Sequence, residues 1–508
     1  LSATDLLAQP FGTLAELITA YAAAHPNKPA LIDATGGLSY VELDTLIDRI
    51  AASLQRDGVT ATDVVAICAT TSINYAATFL ATLRAGATVA PLAPSSTPDS
   101  LALMLADSGA KLLFLDASTS ALFNTTSGHI TLDDSPAGIA FSTWLAPLGA
   151  TPTHVTILPE YGFNLIYSSG TTGMPKGILQ AHEMRWSQLS RLATAPDTIT
   201  MISTPLYSNT TLVSFLPTLA AGATVVMMAK FDATHFLQLA EKHRVTHAML
   251  VPVQYRRLLE HPNFDSYDLS SFVMKFATSA PFPAALKAQV LARWPGGLIE
   301  FYGMTEGGGS CMLLAHEHPD KLHTVGQPIP GHDIRLIDES GIEVPQGALG
   351  EIVGRSNAMM AGYHNQPGKT AEAEWYSPDG NRYIRTGDVG RFDAEGFLTL
   401  LDRKKDMIIS GGFNIYPTDL EAELSRHDAV LESAVVGVPS DQWGETPVAF
   451  AVLKPGQSVS VDALKSWVNA RLGKTQRLAD LRLIDALPRS HIGKILKRDL
   501  RDSYHPAG

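Results

Sequence analysis

The chain has 508 residues, 45% of them hydrophobic, enough to bury several cores and to divide into roughly two to four folding units. A formal charge of −12 excludes a general nucleic-acid or anionic-membrane surface, so any phosphate has to be held locally. Two cysteines, Cys68 and Cys311, make no disulfide framework in a chain this long and point to a reducing compartment, the cytoplasm; residues 1–21 show no basic-then-apolar secretory signal.

From Asp63, apolar runs alternate with helical stretches. "VVAICA" precedes a helix predicted over Ile73–Arg84, "ATVAPL" precedes one opened by Thr97-Pro98-Asp99, and "KLLFLD" follows. The alternation returns from Ile199: "ITMIST", the Leu212 helix, "TVVMM", a helix over Asp232–Arg244, "HAMLVP", the Gln254 helix, "FVMKFAT", a helix over Pro283–Trp294, then "LIEFYG". Apolar runs separated by helices predict parallel sheets covered on both faces, here two α/β layers packed together. The uncharged stretch Thr211–Ala229 approaches membrane-spanning length, but Pro217 and Ala221-Gly222 divide it into a buried helix and a strand from Thr224 to Met228. Beyond about Val325 the texture becomes short strands and turns, a β-rich subdomain. The charged turn "DRKKD" then leads into a small α+β unit with Thr418 and Glu421 spaced as a capping box, and a helix marked by Leu464, Trp467, Val468 and Leu472. The expected domains are 1–402 and 403–508.

One segment cannot build a core. "YSSGTTGMPKG", Tyr167–Gly177, follows the apolar run Phe163–Ile166 and is rich in glycine, serine and threonine. Small residues after a strand let backbone N–H groups share a concavity, hydroxyls add donors for phosphate oxygens, and Lys176 adds charge. It is not a Walker A loop, because no Gly-Lys pair closes it. "GYHNQPGKT", Gly362–Thr370, has five residues between its glycines instead of four and no leading strand, so it is rejected as a phosphate loop. No G-x-G-x-x-G follows a strand, which removes the main mark of a nicotinamide-binding fold.

Four further segments accompany that loop: "FYGMTE" (Phe301–Glu306), "YIRTGD" (Tyr383–Asp388), "LDRKKDMIISGGFNIYPTDLE" (Leu401–Glu421) and "PRSHIGKILKR" (Pro488–Arg498). In order and spacing the five resemble the core motifs of the adenylate-forming superfamily, which includes acyl-CoA synthetases, luciferases and peptide-synthetase adenylation domains; the resemblance runs from about Phe11 to Leu500. It implies a large N-terminal AMP-binding domain of packed α/β layers, a small mobile C-terminal domain, and ATP, Mg²⁺ and coenzyme A as cofactor and co-substrates. By the same resemblance Ser168, Ser169, Gly170, Thr171, Thr172, Gly173 and Lys176 cover the β- and γ-phosphates. Thr305 donates to the α-phosphate, Glu306 helps hold Mg²⁺, and adenine lies between Tyr302-Gly303 and the segment Thr278–Pro281, with Ser279, Ala280 and Pro281. Asp388 and Arg403 match the ribose-binding positions. Lys494 matches the lysine that reaches both the carboxylate and the α-phosphate during adenylation, and Lys405 matches a hinge about which the small domain rotates. Ser410, Gly411 and Gly412 look like the pantetheine tunnel, and Trp443 sits where some relatives contact coenzyme A.

The motifs leave the acid open. Relatives often carry histidine after "PL[FY]", where this chain has Ser208; Ser208, Tyr207 and Trp186 are candidates for the acyl pocket. Gly307, Gly308 and Gly309 suggest a roomy or elongated tail. The box "GEIVGRS" departs from that of the 4-coumarate ligases, and the absence of aspartate in Tyr207–Leu212 disfavours an amino acid. Fatty acids and aryl or arylalkenyl acids remain. The expected activity is an acid:CoA ligase, monomeric or homodimeric, acting on a small-molecule carboxylic acid without nucleic acid or membrane span. A stand-alone enzyme loading a carrier protein and a non-catalytic nucleotide-binding protein are the alternatives.

Overall fold

Helix starts follow the chain's own hydroxyls and carboxylates. Thr13, Ser39, Thr97 and Asp232 each accept from the backbone three residues on, opening the helices Leu14–Ala24, Tyr40–Arg56, Pro98–Ser108 and Ala233–Lys242. The computed structural model describes the chain except residues 124–127, 169–174, 191–193, 404–405, 411–412, 441–442, 474–475, 491–492 and 506–508, and the side chains of residues 168, 402, 403, 413 and 414.

Two large sheets form the first part of the molecule. One has eight strands among the described residues, in the order Gly362–Tyr363, Lys176–Ala181, Gly162–Ser168, Thr88–Pro91, Val64–Cys68, Leu112–Leu115, Ile130–Thr131, Ile139–Ala140. The other has nine, running from Gln327–Pro328 through Cys311–Leu314, Gly297–Tyr302, Met274–Ala277, His247–Leu250, Ile199–Ile202 and Thr224–Met227 to Pro29–Asp33 and Gly36–Ser39. The interior strands are parallel, as the apolar runs predict. Except at Ile139–Ala140, which pairs parallel with Ile130–Thr131, the edges are antiparallel, which those runs do not reveal: Gly162–Ser168 pairs antiparallel with Lys176–Ala181, and Gly297–Tyr302 with Cys311–Leu314. The N-terminal strand also joins the second sheet, with Leu31 opposite Val225.

The largest core lies where helices of both layers meet, burying Tyr40, Phe79, Phe163 and Phe215 with Val65 and Val225 from the two sheets. A second core centres on Trp294, 1% exposed, with Phe236, Tyr255, Phe264 and Phe272 edge-on at ring separations of 5.0–6.0 Å. Each such pair adds about 0.5–1.5 kcal/mol beyond area burial, fixing the helices behind the second sheet. The stretch Thr211–Ala229 is a helix, Asn209–Ala220, and a strand, Thr224–Met227; no described helix is long and apolar enough to cross a membrane.

A third sheet is built from Asp333–Ile337, Gly350–Arg355, Arg382–Phe392 and Glu374–Tyr376, with Leu398–Arg403 paired to Arg382–Phe392. The C-terminal unit has its own sheet, with Gly444–Leu453 central and Val430–Ser440 along one edge, and its own core, from Ile408 to Leu481, drawing on no earlier residue among those described. The capping box expected there does not form. The helix Pro417–Ser425 starts one residue before Thr418, and Glu421 instead accepts from the Val435 amide at 2.8 Å and pairs with Lys497 at 2.9 Å.

Candidate active site

Three adjacent parallel strands of the second sheet, His247–Leu250, Met274–Ala277 and Gly297–Tyr302, deliver the candidate residues from their C-terminal ends. That edge is the usual ligand crevice of an open α/β sheet. After Ala277 the chain turns sharply: Ser279 holds φ +78°, a left-handed conformation that costs a non-glycine residue energy, and its hydroxyl is 2.5 Å from that of Thr210. Tyr302 ends its strand largely buried and donates its phenolic hydrogen to Asp388 at 2.9 Å, tying the third sheet to the crevice. Burial and the Asp388 carboxylate push the Tyr302 phenol well above its ordinary value, so it remains a donor. Asp388 stands opposite Arg403 in the antiparallel ladder, which places the two ribose-site expectations on neighbouring strands; the Arg403 side chain lies outside the described residues.

Thr305 and Glu306 follow in the next turn. The Thr305 carbonyl accepts from Gln180 Nε2 at 2.6 Å, and Glu306 Oε1 accepts from the Tyr363 hydroxyl at 2.8 Å. Lys176 Nζ lies 5.2 Å from the Tyr363 ring centre, so one aromatic residue contacts both the candidate metal-binding carboxylate and the candidate phosphate-binding lysine. Tyr363 belongs to the segment rejected as a Walker loop. It holds no phosphate motif, but Gly362–Tyr363 pairs with Leu179 and Ile178 and so carries the ring to the site. Sequence inspection missed this residue because its role depends on a non-local strand pair. Ser168 pairs with Lys176 across the hairpin base; Ser169, Gly170, Thr171, Thr172 and Gly173 lie outside the described residues.

Among the described residues no group of three His, Cys, Asp or Glu side chains could hold a metal unaided. The Glu306 carboxylate fits Mg²⁺, which is commonly held by one or two carboxylates with substrate phosphates and water.

The C-terminal unit touches the first part of the molecule beside the crevice. Gly493, the residue before Lys494, holds φ +79°, and its Cβ position is 2.7 Å from Val253 Cγ1 at the start of the helix Pro252–Leu259. Arg489 donates to the Gly493 carbonyl at 2.8 Å, which braces the turn. Glu432 accepts from Arg489 of its own unit and from Arg256 of that same helix at 3.1 Å. The loop bearing Lys494 therefore rests beside the C-terminal end of His247–Leu250, next to the strands that lead to Ser279 and Tyr302. Lys405, Gly411 and Gly412 lie outside the described residues; Ser410 is buried and backbone-paired with Gly444, whereas Trp443 is 51% exposed.

Of the acyl-pocket candidates, the three glycines and Trp186 are closely packed. Gly307, Gly308 and Gly309 do not open volume on their side-chain side. A Cβ on Gly307 would lie 1.6 Å from the Ala358 carbonyl oxygen, one on Gly308 2.5 Å from Ile384 Cβ, and one on Gly309 3.2 Å from the Arg355 amide. These glycines let the turn after Glu306 press against the third sheet. Trp186 is core: its indole donates to the Gln9 carbonyl at 3.3 Å, meets Phe11 edge-on at 6.4 Å, and its ring fills the side-chain space of Gly12. Ser208, buried, caps the helix Asn209–Ala220 without a side-chain hydrogen bond, and the Tyr207 phenol is raised by its half-buried setting.

The AMP-binding enzyme family model matches residues 18–364, and the AMP-binding enzyme C-terminal domain model matches 419–494. The chain is 33% identical over 499 residues to 4-coumarate–CoA ligase 5 of Oryza sativa subsp. japonica, covering 94% of this chain and 91% of that one. It is 31% identical over 505 residues to the fatty acid–[acyl-carrier-protein] ligase ScoC of Streptomyces coeruleorubidus, covering 97% and 96%. The crystal structure of ATP-bound MatB from Rhodopseudomonas palustris superposes with a TM-score of 0.83 at 28% identity, covering 95% of this chain and 98% of that one.

Proposed function

From the premise that the chain belongs to the AMP-binding, adenylate-forming enzyme family as an AMP-forming acid–thiol ligase, we propose that it joins a fatty or aryl-type carboxylic acid to coenzyme A in two steps. A carboxylate oxygen first attacks the α-phosphorus of ATP; the bond to the bridging oxygen breaks, pyrophosphate leaves and acyl-AMP forms. The thiol of coenzyme A then attacks the acyl carbon, its proton is lost, and AMP departs. The first step brings two anions together, so pre-placed donors and cations carry it.

Thr305 and Lys494 donate to the α-phosphate and the incoming carboxylate, Lys176 and the hairpin tip hold the outer phosphates, and Tyr302, Asp388 and Arg403 seat the nucleoside. Glu306, oriented by Tyr363, would hold Mg²⁺, which when bound offsets phosphate charge. The observation that carries this reading is the seating of the Gly493-Lys494 turn on Val253 while Tyr302 and Asp388 meet at 2.9 Å, an arrangement suited to adenylation. Thiolysis then calls for rotation of the small unit about Lys405, bringing Ser410, Gly411, Gly412 and Trp443 to the thiol's path. The 4-coumarate ligase relative supports an aryl or arylalkenyl acid, and the fatty-acid ligase relative an alkyl one. Two free, buried cysteines suit a reducing compartment, consistent with a cytoplasmic site of action.

A panel of alkyl and arylalkenyl acids, scored for ATP–pyrophosphate exchange and for coenzyme A-dependent AMP release, tests reaction and substrate together. Absence of exchange with every acid, while AMP still binds, overturns the reading. The relative that loads an acyl carrier protein favours a second acceptor. Acyl transfer to a phosphopantetheinylated carrier, with none to coenzyme A, would select it.

A further inference from the structure

Arg185 lies in the helix His182–Leu189 with 1% of its surface exposed, and no carboxylate pairs with it among the described residues. Its Nε and Nη2 donate to Asn164 Oδ1 at 3.2 and 3.0 Å, Nη2 also donates to Asn209 Oδ1 at 2.8 Å and to Gln180 Oε1, and Nη1 donates to Gln188 Oε1 at 3.1 Å. All four partners are neutral amides. Burial pulls the guanidinium down to about 9, which leaves it charged at neutral pH. A buried cation balanced only by amide dipoles and by the Phe163 ring, whose centre lies 5.8 Å from its Cζ, is costly to desolvate. Breaches of this kind concentrate at functional sites.

The amides lead to the crevice. Gln180, which Arg185 and Asn164 both hold through Oε1, donates from Nε2 to the Thr305 carbonyl at 2.6 Å. Asn209 is the first residue of its helix, and its neighbour Thr210 meets the strained Ser279 at 2.5 Å. One guanidinium thus grips the chain on two sides of the candidate site: the turn carrying Thr305 and Glu306, and the helix start that braces the adenine segment.

We propose that Arg185 is a positioning residue for adenylation, which sets the Thr305 turn through Gln180 and the Ser279 turn through Asn209, and whose unbalanced charge is neutralised when the anionic substrates bind. The proposal deepens the ligase reading and rests on it. The charge accounts for a feature that packing does not: a cation is kept where the net negative partner arrives with carboxylate and phosphate.

The test compares wild type with Arg185→Met, Arg185→Lys and Gln180→Met, reading ATP–pyrophosphate exchange, the melting temperature of the free protein, and its rise on saturation with a non-hydrolysable acyl-sulfamoyl adenosine. Arg185→Met is expected to lower the melting temperature of the free protein modestly, since the amide oxygens of Asn164 and Asn209 lose their donor, to lower kcat for exchange per folded protein roughly 10- to 100-fold through misplacement of the reacting groups, and to shrink the analogue-induced rise. Arg185→Lys, retaining charge but not the forked geometry, should recover part of both. If Arg185→Met fails to fold, Gln180→Met, which removes the Thr305 link together with an acceptor of Arg185 and Asn164, decides: a lowered exchange rate per folded protein supports the proposal, and a wild-type rate overturns it. A wild-type rate in Arg185→Met, or a loss matched by an equal loss of folded protein, also overturns it. Should wild type exchange with no acid while AMP still raises its melting temperature, the ligase reading falls by itself, and the AMP-induced rise in each variant then judges the clamp.

Discussion

Gly493→Ala tests whether the docked small unit is the adenylating state. The substitution carries two costs that can be separated. Alanine at φ +79° is disfavoured by about 1–2 kcal/mol in any position of the small unit, because the strain is local to the turn. The contact with Val253 exists only when the unit is docked: at 2.7 Å the new methyl overlaps a branched, inflexible Cγ1, and overpacking of this kind costs about 1–3 kcal/mol. At 1.36 kcal/mol per tenfold, the docking term alone slows acyl-AMP formation roughly 5- to 150-fold, whereas thiolysis of supplied acyl-AMP is spared. Val253→Ala removes the opposing methyl, so the double variant should regain most of the lost exchange rate while keeping the φ penalty as a lower melting temperature. The measurements are pyrophosphate exchange and single-turnover thiolysis on all four proteins of the cycle. Equal slowing of both half-reactions in Gly493→Ala, or no rescue by Val253→Ala, would refute the reasoning.

Three other outcomes are expected. Lys494→Ala lowers acyl-AMP formation roughly 10²- to 10³-fold, the scale of one lost preorganised donor, with a much smaller effect on thiolysis measured from acyl-AMP. Gly307→Ala, which sets a methyl 1.6 Å from the Ala358 carbonyl at φ +73°, destabilises the protein by at least about 3 kcal/mol, seen as a lower urea midpoint, without lengthening the preferred acid. His182 is buried against Phe163 at 5.0 Å, and burial lowers its imidazole from 6.5 to about 4. Between those values the unfolded chain takes up a proton that the folded one refuses, so stability falls as pH drops from 6.5 towards 4, by about 3 kcal/mol in all. His182→Gln should flatten that part of a melting-temperature profile; an unchanged slope would mean that other groups produce it.

Local chemistry made much of this molecule readable in advance. The helix Ile73–Arg84 and the Thr97 cap appear where predicted, because apolar periodicity and a Ser/Thr before the first turn act within a few residues. The antiparallel edges and the entry of Pro29–Asp33 into the second sheet were not readable, since partner choice across nearly two hundred residues leaves no local trace. The same division holds at the site. Motif spacing drew attention to Tyr302, Glu306, Asp388 and Lys494, while Tyr363, Val253 and the amides around Arg185 matter through tertiary contacts alone. The glycines after Glu306 show a related ambiguity: an absent side chain signals either open space or a backbone pressed close, and the Ala358 carbonyl decides for the second.

The strand Pro29–Asp33 has a consequence for synthesis. It lies in register with Thr224–Met227, and Thr224 also bonds the Pro29 carbonyl at 2.7 Å, so the segment waits for a partner that leaves the ribosome far later. In the interval an apolar β-edge is bare, and unpaired edges recruit other chains. A nascent chain arrested before Thr224 is therefore a sticky species, and the vulnerable window closes only when translation has passed Met227.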